Sequence, residues 1–288
     1  MKSTLTYHME QTLRFYGTPG PYTDPGEFRQ LLQSLPDDHE QIIRFIKMLL
    51  IHPLDARDSN VRFNYKKVLR SGVDYRSIDD ILANPQVHAL LKLGQLDLRS
   101  DPAQRGILSC DHHAAFFASI LRLKGKAVRA RCGYATYLVP DMLTPHWICE
   151  VYNQTKQRWE AIDPERFKTK LAKGAFLPAG KVWLDVQRSV LHLDQVLPDY
   201  RSGLDGIKYR LLNDVNALMK NELLNYDWML RQVRAPRLFS KPVSNLDEGE
   251  RIFLDILATL SLDSDARWGE LCDQYTSYVH PENLRTAG

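Results

Sequence analysis

The 288-residue sequence lacks most of the features that place a protein in a functional class at first sight. It has no run of roughly 18 apolar residues, the length that a membrane-spanning helix requires, and its N-terminus has no uninterrupted apolar stretch typical of a signal peptide. The net charge is only +3 and the basic residues are scattered, so no nucleic-acid or membrane partner is expected. No internal repeat or low-complexity linker divides the chain.

Cysteine is also scarce. The four cysteines, Cys110, Cys132, Cys149 and Cys272, form no CxxC pair and have no regular spacing. This pattern argues against a disulfide framework and is typical of the reducing cytoplasm, where we expect the protein to be located. In that compartment a free thiol can serve as a nucleophile.

The two ends of the chain have helical periodicity. Within residues 1–95 it is clearest in a predicted helix from Asp38 to His52, which Pro53 ends. Residues 186–288 show the same spacing of apolar positions. We therefore predict a helical flank on each side of the centre.

The centre, residues 96–185, has a different character. It begins with a predicted helix from Cys110 to Lys124, with Gly125 at the position of a C-terminal cap. Three strand-like runs follow, at 127–138, 146–153 and 158–163. Helices that are segregated from strands in this way favour an α+β fold over a parallel α/β sheet. We predict that residues 1–288 form a single unit, with the catalytic core in the centre.

Three central residues have the types that cysteine catalysis requires: a thiol, a base and a group that orients the base. Cys110 follows Ser109 at the predicted helix start, where the helix dipole and free N–H groups favour a thiolate. We therefore expect a depressed pKa for the Cys110 thiol and burial for Cys132 and Cys149. His146 begins the second strand and Asp163 ends the third, so antiparallel pairing of these strands can bring the imidazole and the carboxylate together.

The sequence around these residues resembles the transglutaminase-like superfamily over roughly residues 105–165. That family shows a Cys that opens a helix, a turn with Arg and Gly leading into a strand that ends Gly-Tyr, a His-Trp followed by Glu-Val-Tyr, and a Trp shortly before Asp-Pro. Residues 23–28 and 213–229 also resemble bacterial members. The matching central residues are Cys110; Leu121, Arg122, Gly125, Val128 to Arg131, Gly133 and Tyr134; His146, Trp147, Glu150, Val151 and Tyr152; and Trp159, Asp163 and Pro164.

The resemblance implies a papain/transglutaminase-like core, in which the helix that bears the cysteine packs on an antiparallel sheet. It implies a catalytic triad of Cys110, His146 and Asp163 that passes an acyl group to an amine through a thioester acyl-enzyme. The acyl donor would be an amide, a peptide or a carrier-protein thioester, and amide-bond formation in specialised metabolism is one form. Two alternatives stay open: an amidase or peptidase with the same triad, and a non-catalytic interaction domain on the same fold.

Two further residues are weaker candidates for the site. Gln104 lies six residues before Cys110 and could complete an oxyanion hole, although a solvated loop position is favoured. Trp147 could shield the thiolate from water, or simply pack. Arg129 and Arg131 share a strand face, and we expect ion pairs from them to Glu150 or Glu160.

A metal site is the remaining alternative, because two histidines follow Cys110. However, Cys-x-His-His matches no common structural zinc spacing, and the acyl-transfer chemistry requires no cofactor. We therefore expect no metal, and we expect His112 and His113 on the polar side of the helix. The residues of the rejected zinc set are Cys110, His112, His113, His146 and Cys149.

Overall fold

In the computed structural model, the described residues are 4–64, 75–92, 101–199, 201–223 and 236–279. Their secondary structure is α+β, with helical flanks around a central helix and a four-stranded antiparallel sheet. The predicted fold class is thus confirmed. Part of the predicted core, residues 96–100, and the end of the C-terminal stretch of resemblance, residues 224–229, lie outside the described residues.

The N-terminal flank contains short helices that pack on one side of the central helix. The helix predicted from Asp38 begins one residue later, at His39, because the Asp38 carboxylate caps it by accepting a hydrogen bond from the Gln41 N–H. It ends at Leu49 rather than at the predicted His52, because the next two residues form a short parallel strand pair. The elements are α1 Thr4–Tyr16, α2 Arg29–Gln33, α3 His39–Leu49, α4 Pro53–Asp58, α5 Ile78–Ala83 and α6 Pro85–Lys92, with strands β1 Leu50–Ile51 and β2 Gly106–Ile107.

The central helix, α7 Cys110–Leu123, is enclosed by the rest of the fold. Residues 111–122 are all buried, because the N-terminal helices pack on one side and the sheet packs on the other. Gly125 has a φ of +71°, a left-handed conformation that favours glycine, and it follows the helix end as predicted. Cys110 is therefore the first residue of a helix that belongs to the core.

An antiparallel sheet packs against α7. Its strands are β3 Val128–Val139, β4 Met142–Asn153, β5 Arg158–Ile162 and β6 Phe176–Pro178. They lie in the order β5-β4-β3-β6. The first three correspond to the predicted strand-like runs. The fourth was not predicted, because it has only three residues and ends in proline.

The C-terminal flank covers the other face of the sheet. Its helices are α8 Ala179–Gln187, α9 Gly203–Leu218, α10 Arg237–Ser240, α11 Glu248–Leu262 and α12 Trp268–Val279. Along β3, Ala130 and Cys132 join the apolar cluster around α7, whereas Arg131 forms an ion pair with Asp214 of α9. The side chains of β3 therefore alternate between an apolar face and a charged face, in agreement with the prediction that Arg129 and Arg131 share a strand face.

The buried side chains form two clusters, one on each side of the sheet. The first joins the N-terminal helices, α7 and the apolar sheet face. The second joins α8, α9, α11 and α12, and it includes Tyr16 of α1, whose hydroxyl donates to the Leu218 carbonyl at 2.9 Å. Within the described ranges, no helix is both long enough and apolar enough to cross a membrane.

Arg122, near the end of α7, connects all three zones of the chain. Its guanidinium donates to Thr23 at 3.0 Å, to Glu222 at 2.5 Å and to the Val128 carbonyl at 3.0 Å. The side chains of Arg122 and Glu222 are both fully buried. A charge in this position requires its partner, because an unpaired buried ion is strongly destabilising.

Candidate active site

Cys110 lies at the N-terminus of α7, as the sequence predicts, with Ser109 at the N-cap position. The side chain is half-buried. The backbone N–H of Trp147 acts on the thiol to lower its pKa and so favours the thiolate. Because Trp147 directly follows His146 in β4, the part of the strand that carries the predicted base lies near the start of α7.

His146 and Asp163 are in direct contact. β4 and β5 pair antiparallel, with Cys149 opposite Ile162, and the Nε2 atom of His146 lies 2.8 Å from Oδ2 of Asp163. The two side chains are only 3% and 0% exposed. An ionised carboxylate accepts but does not donate hydrogen bonds, so the Nε2 atom carries the proton and Nδ1 is left as the basic nitrogen.

The Asp163 carboxylate has two further donors. The hydroxyl of Tyr137 donates to Oδ2, the atom that also contacts His146, and the backbone N–H of Arg166 donates to Oδ1 at 2.9 Å. Burial alone would raise the pKa of Asp163, but the charge and hydrogen bond of His146, with these two donors, hold it below its usual value. The carboxylate is therefore kept ionised and fixed in position.

Burial raises the pKa of the Cys110 thiol well above its usual range, and the carboxylates of Asp111 and Glu165 act in the same direction. The guanidinium of Arg210 and the Trp147 N–H act against this effect. The predicted depressed pKa is therefore wrong. The helix N-terminus was expected to dominate, but the removal of water from the thiol has the larger effect.

The two weaker candidates occupy different environments. Trp147 is buried in the apolar cluster around α7, so its side chain packs in the core while its N–H contacts Cys110. Gln104 is exposed at the end of a 3-10 turn, and in the described part of the chain no hydrogen bond joins its side chain to Cys110. The structure therefore does not bring Gln104 to the thiol.

The histidines that follow Cys110 are not on a polar surface. His112 and His113 are both buried, so the predicted placement is wrong. The reason is that α7 has protein on both sides and presents no solvated face. The Nδ1 atom of His113 lies 3.0 Å from the Ser109 carbonyl, and burial, together with the positive charge of Lys47, lowers the pKa of His113 to about 3.

The strand arginines form ion pairs, as predicted. Arg129 and Arg131 both contact Glu150, at 2.6 and 3.1 Å. Arg131 also pairs with Asp214 at 2.8 Å, and Arg129 pairs with Asp265 at 2.9 Å. Both guanidinium groups are therefore engaged within the fold, away from any substrate.

Glu165 is a buried neighbour of the site that the sequence did not single out. Its Oε2 atom lies 4.0 Å from Nε2 of His146 and 2.8 Å from Nε of Arg166. The donor atoms of His146, Asp163 and Glu165 lie within 4.8 Å of one another, so by distance they could hold a metal ion. However, the Arg166 guanidinium already places a positive charge beside Glu165, and Nε2 is engaged by Asp163. This arrangement suits a network of ion pairs better than a metal site.

Comparisons with known proteins add no assignment. No protein-family model, no curated protein and no solved structure matches the chain.

Proposed function

We propose that this protein is a cysteine-dependent acyltransferase of the transglutaminase-like type, with Cys110, His146 and Asp163 as its catalytic triad. The observation that carries the proposal is one set of contacts. His146 is held by Asp163 through Nε2 at 2.8 Å, and the backbone N–H of the next residue, Trp147, acts on the Cys110 thiol to favour the thiolate. The site thus combines a thiol at a helix start, a base within β4 and a carboxylate that orients the base.

The proposed reaction begins with neutral thiol and neutral imidazole. Nδ1 of His146 removes the thiol proton as the Cys110 sulfur attacks the acyl carbonyl, and the imidazolium that forms is stabilised by Asp163. The tetrahedral oxyanion collapses as the imidazolium passes its proton to the leaving group, which leaves a thioester on Cys110. An amine then attacks the thioester, loses a proton to His146 and releases the amide and the free thiol. In this general-base route the thiolate forms only as the substrate reacts, so the route does not require a lowered pKa of the resting thiol.

The same residues support hydrolysis when water replaces the amine. We propose acyl transfer to an amine as the main activity and an amidase or peptidase as its alternative. The acyl donor remains an amide, a peptide or a carrier-protein thioester. The papain/transglutaminase-like arrangement of the core belongs to this proposal, and it is supported by the packing of α7 on an antiparallel sheet. Four free thiols suit a cytoplasmic protein.

One observation favours a non-catalytic interaction domain instead. A thiol whose pKa is raised by burial is typical of a core cysteine. The two functions differ in the reactivity of Cys110. Iodoacetamide at neutral pH should modify Cys110 in preference to the other three cysteines if His146 activates it, whereas slow and uniform labelling would favour the interaction domain.

The decisive experiment is intact-mass analysis after incubation with candidate thioesters, amides and peptides. A catalytic Cys110 should retain one acyl group as a mass adduct. Each cysteine should be changed to alanine in turn, with the Cys132, Cys149 and Cys272 variants as matched controls. Adduct formation and turnover should be lost only in Cys110→Ala, and an adduct that persists in this variant would disprove the proposal.

The role of Asp163 is tested by Asp163→Asn. The amide has nearly the same shape, but it can present an N–H to the imidazole and favour the wrong tautomer, so turnover should fall by about a hundredfold or more. A thermal melt provides the control for folding. Unchanged turnover, or a loss that unfolding explains, would contradict the assigned role.

A further inference from the structure

In the described part of the chain, Tyr137 is the one tyrosine whose hydroxyl forms a hydrogen bond with a residue of the predicted triad. The hydroxyl donates to Oδ2 of Asp163, the oxygen that also accepts the Nε2–H of His146. The tyrosine and imidazole rings meet edge to face, with centroids 6.3 Å apart and an interplanar angle of 89°. Tyr137 thus contacts both members of the hydrogen-bonded pair.

The sheet explains how a residue on another strand reaches this position. β3 and β4 pair regularly up to Ala135, and the register then shifts before pairing resumes at Val139. Such irregularities bend a strand and redirect its side chains, and they are frequent beside active sites. Tyr137 lies within the shifted segment, and the ammonium of Lys168 is 5.3 Å from the centre of its ring. The strand irregularity therefore places the Tyr137 hydroxyl on Asp163.

The contact has a chemical consequence for the base. An aspartate that orients a histidine must accept the Nε2–H without taking the proton from it. A second donor on the same oxygen shares its negative charge and makes the carboxylate less basic. It also prevents the carboxylate from rotating, and the backbone N–H of Arg166 holds the other oxygen. The imidazole is then fixed with Nδ1 as its free basic nitrogen.

We propose that Tyr137 is a positioning residue of the acyl-transfer site, acting through Asp163 on His146. The inference rests on the proposed function, because it assigns Tyr137 a part in the same proton transfer. Tyr137 itself does not contact the reacting atoms. Its contribution is to set the strength and the geometry of the hydrogen bond between His146 and Asp163.

The test is Tyr137→Phe, which keeps the ring and removes only the hydroxyl. The kcat of acyl transfer should fall about tenfold, the scale of one hydrogen bond to a charged group, with KM unchanged because substrate binding is not affected. The matched control is Tyr152→Phe on β4, where the ring packs edge to face on Trp159 at 5.3 Å. This control should retain the parental kcat.

Two further measurements separate positioning from a merely structural role. The Nε2–H proton of His146, assigned by its loss in His146→Gln, should move further downfield in the NMR spectrum of Tyr137→Phe, because Asp163 then has one donor fewer. In a double-mutant cycle, Tyr137→Phe should cost little or nothing when Asp163 is already asparagine.

Failure of this inference differs from failure of the proposed function. An unchanged His146 resonance, or additive losses of kcat in the cycle, would overturn the role of Tyr137 while Cys110→Ala still abolishes turnover. If Cys110→Ala retains turnover, the proposed function fails and the positioning role fails with it, whatever the resonance does. A shifted resonance, a lower kcat and a non-additive cycle together support the inference.

Discussion

The two faces of the sheet are stabilised in different ways. Toward α7 the sheet presents apolar or weakly polar side chains, such as Cys132 and Cys149. Toward α9 it presents Arg131 and Glu150, which form a buried ion-pair network with Asp214. Hydrophobic burial is non-directional and tolerates small changes of volume, whereas an ion pair depends on both partners and on their geometry. Apolar burial stabilises both sides of the sheet, and the ion pairs on the second face additionally fix the position of the C-terminal flank.

The contact between Asp214 and β3 shows this directional character. The Oδ1 atom of Asp214 accepts from Nε of Arg131 and from the backbone N–H of Cys132, both at 2.9 Å, while Oδ2 accepts from a terminal guanidinium nitrogen of Arg131 at 2.8 Å. One carboxylate therefore binds both a side chain and the main chain of the strand. α9 can occupy only one position along β3 without losing these bonds.

The largest effect is expected when the helices that pack on both faces of the sheet are removed together. A fragment of residues 96–185 would expose the side of α7 that contacts the N-terminal helices, and it would leave Arg131 without Asp214. We expect no cooperative unfolding transition, because the apolar side of α7 would be exposed to water and Arg122 and Arg131 would lack their partners Glu222 and Asp214. Expression yield, light scattering and a thermal melt test this expectation. A soluble, cooperatively folded monomer would show that the flanks are dispensable.

The Asp214→Ala variant removes the central ion pair of the charged face and leaves the apolar face unchanged. Because this change leaves Arg131 buried without its bidentate partner, we expect the free energy of unfolding to fall by about 3–5 kcal/mol. The matched control is Asp265→Ala, which removes the more exposed partner of Arg129 and the acceptor of the Trp159 indole N–H. Because Asp265 is partly exposed and Arg129 keeps Glu150, this change should cost about 1–2 kcal/mol. Urea unfolding of both variants gives the comparison, and equal losses would contradict the special role of Asp214.

We expect the two sides of the sheet to lose stability in different pH ranges. The folded pKa of His113 is lowered from 6.5 to about 3, so the unfolded chain gains a proton that the folded protein cannot, and stability falls as the pH drops from 6.5 toward 3. His52, on the same side, has a folded pKa of about 4 and adds to this loss. Against the effect of burial, Arg129 and Arg131 lower the folded pKa of Glu150 from 4.5 to about 2, so its contribution is complete above pH 4.5 and is lost toward pH 2.

Urea unfolding across a pH series measures these two windows. His113→Gln should make the decline between pH 6.5 and 4.5 shallower, and Glu150→Gln should affect only the decline below pH 4.5. Constant stability of the parent protein from pH 6.5 to 4.5 would contradict the buried neutral histidines. The slopes are compared within each variant, so a general loss of stability does not obscure the result.

The smallest effect is expected on the apolar face. Cys149 is buried there, and its thiol donates only a weak hydrogen bond to the Ala114 carbonyl at 3.2 Å. Cys149→Ala should therefore cost about 1 kcal/mol, well below the cost of Asp214→Ala. A loss as large as that of Asp214→Ala would remove the distinction between the two faces.

Local patterns in the sequence were sufficient to predict much of the fold. The apolar periodicity between Asp38 and His52 and the shared strand face of Arg129 and Arg131 each predict a feature that depends only on neighbours in the chain. The contact between His146 and Asp163 was also accessible, because a hairpin between two adjacent strands places them close together.

Features that depend on distant parts of the chain were not accessible. His113 lies between His112 and Ala114, and nothing in this local sequence indicates burial before the N-terminal helices pack on α7. The raised pKa of the Cys110 thiol has the same origin, since it comes from the exclusion of water and not from the helix start. Tyr137 contacts Asp163 from the segment in which the strand register shifts after Ala135, and no turn residue in the sequence marks that shift.

The buried ion pair between Arg122 and Glu222 has a consequence for folding during synthesis of the chain. Glu222, its buried partner, lies 100 residues further along the sequence and is therefore synthesised much later. Until it emerges from the ribosome, α7 and the sheet have a cation in their interior with no countercharge. We expect the nascent core to remain incompletely folded during that interval, and the thiol of Cys110 to be enclosed only after the C-terminal flank has been translated.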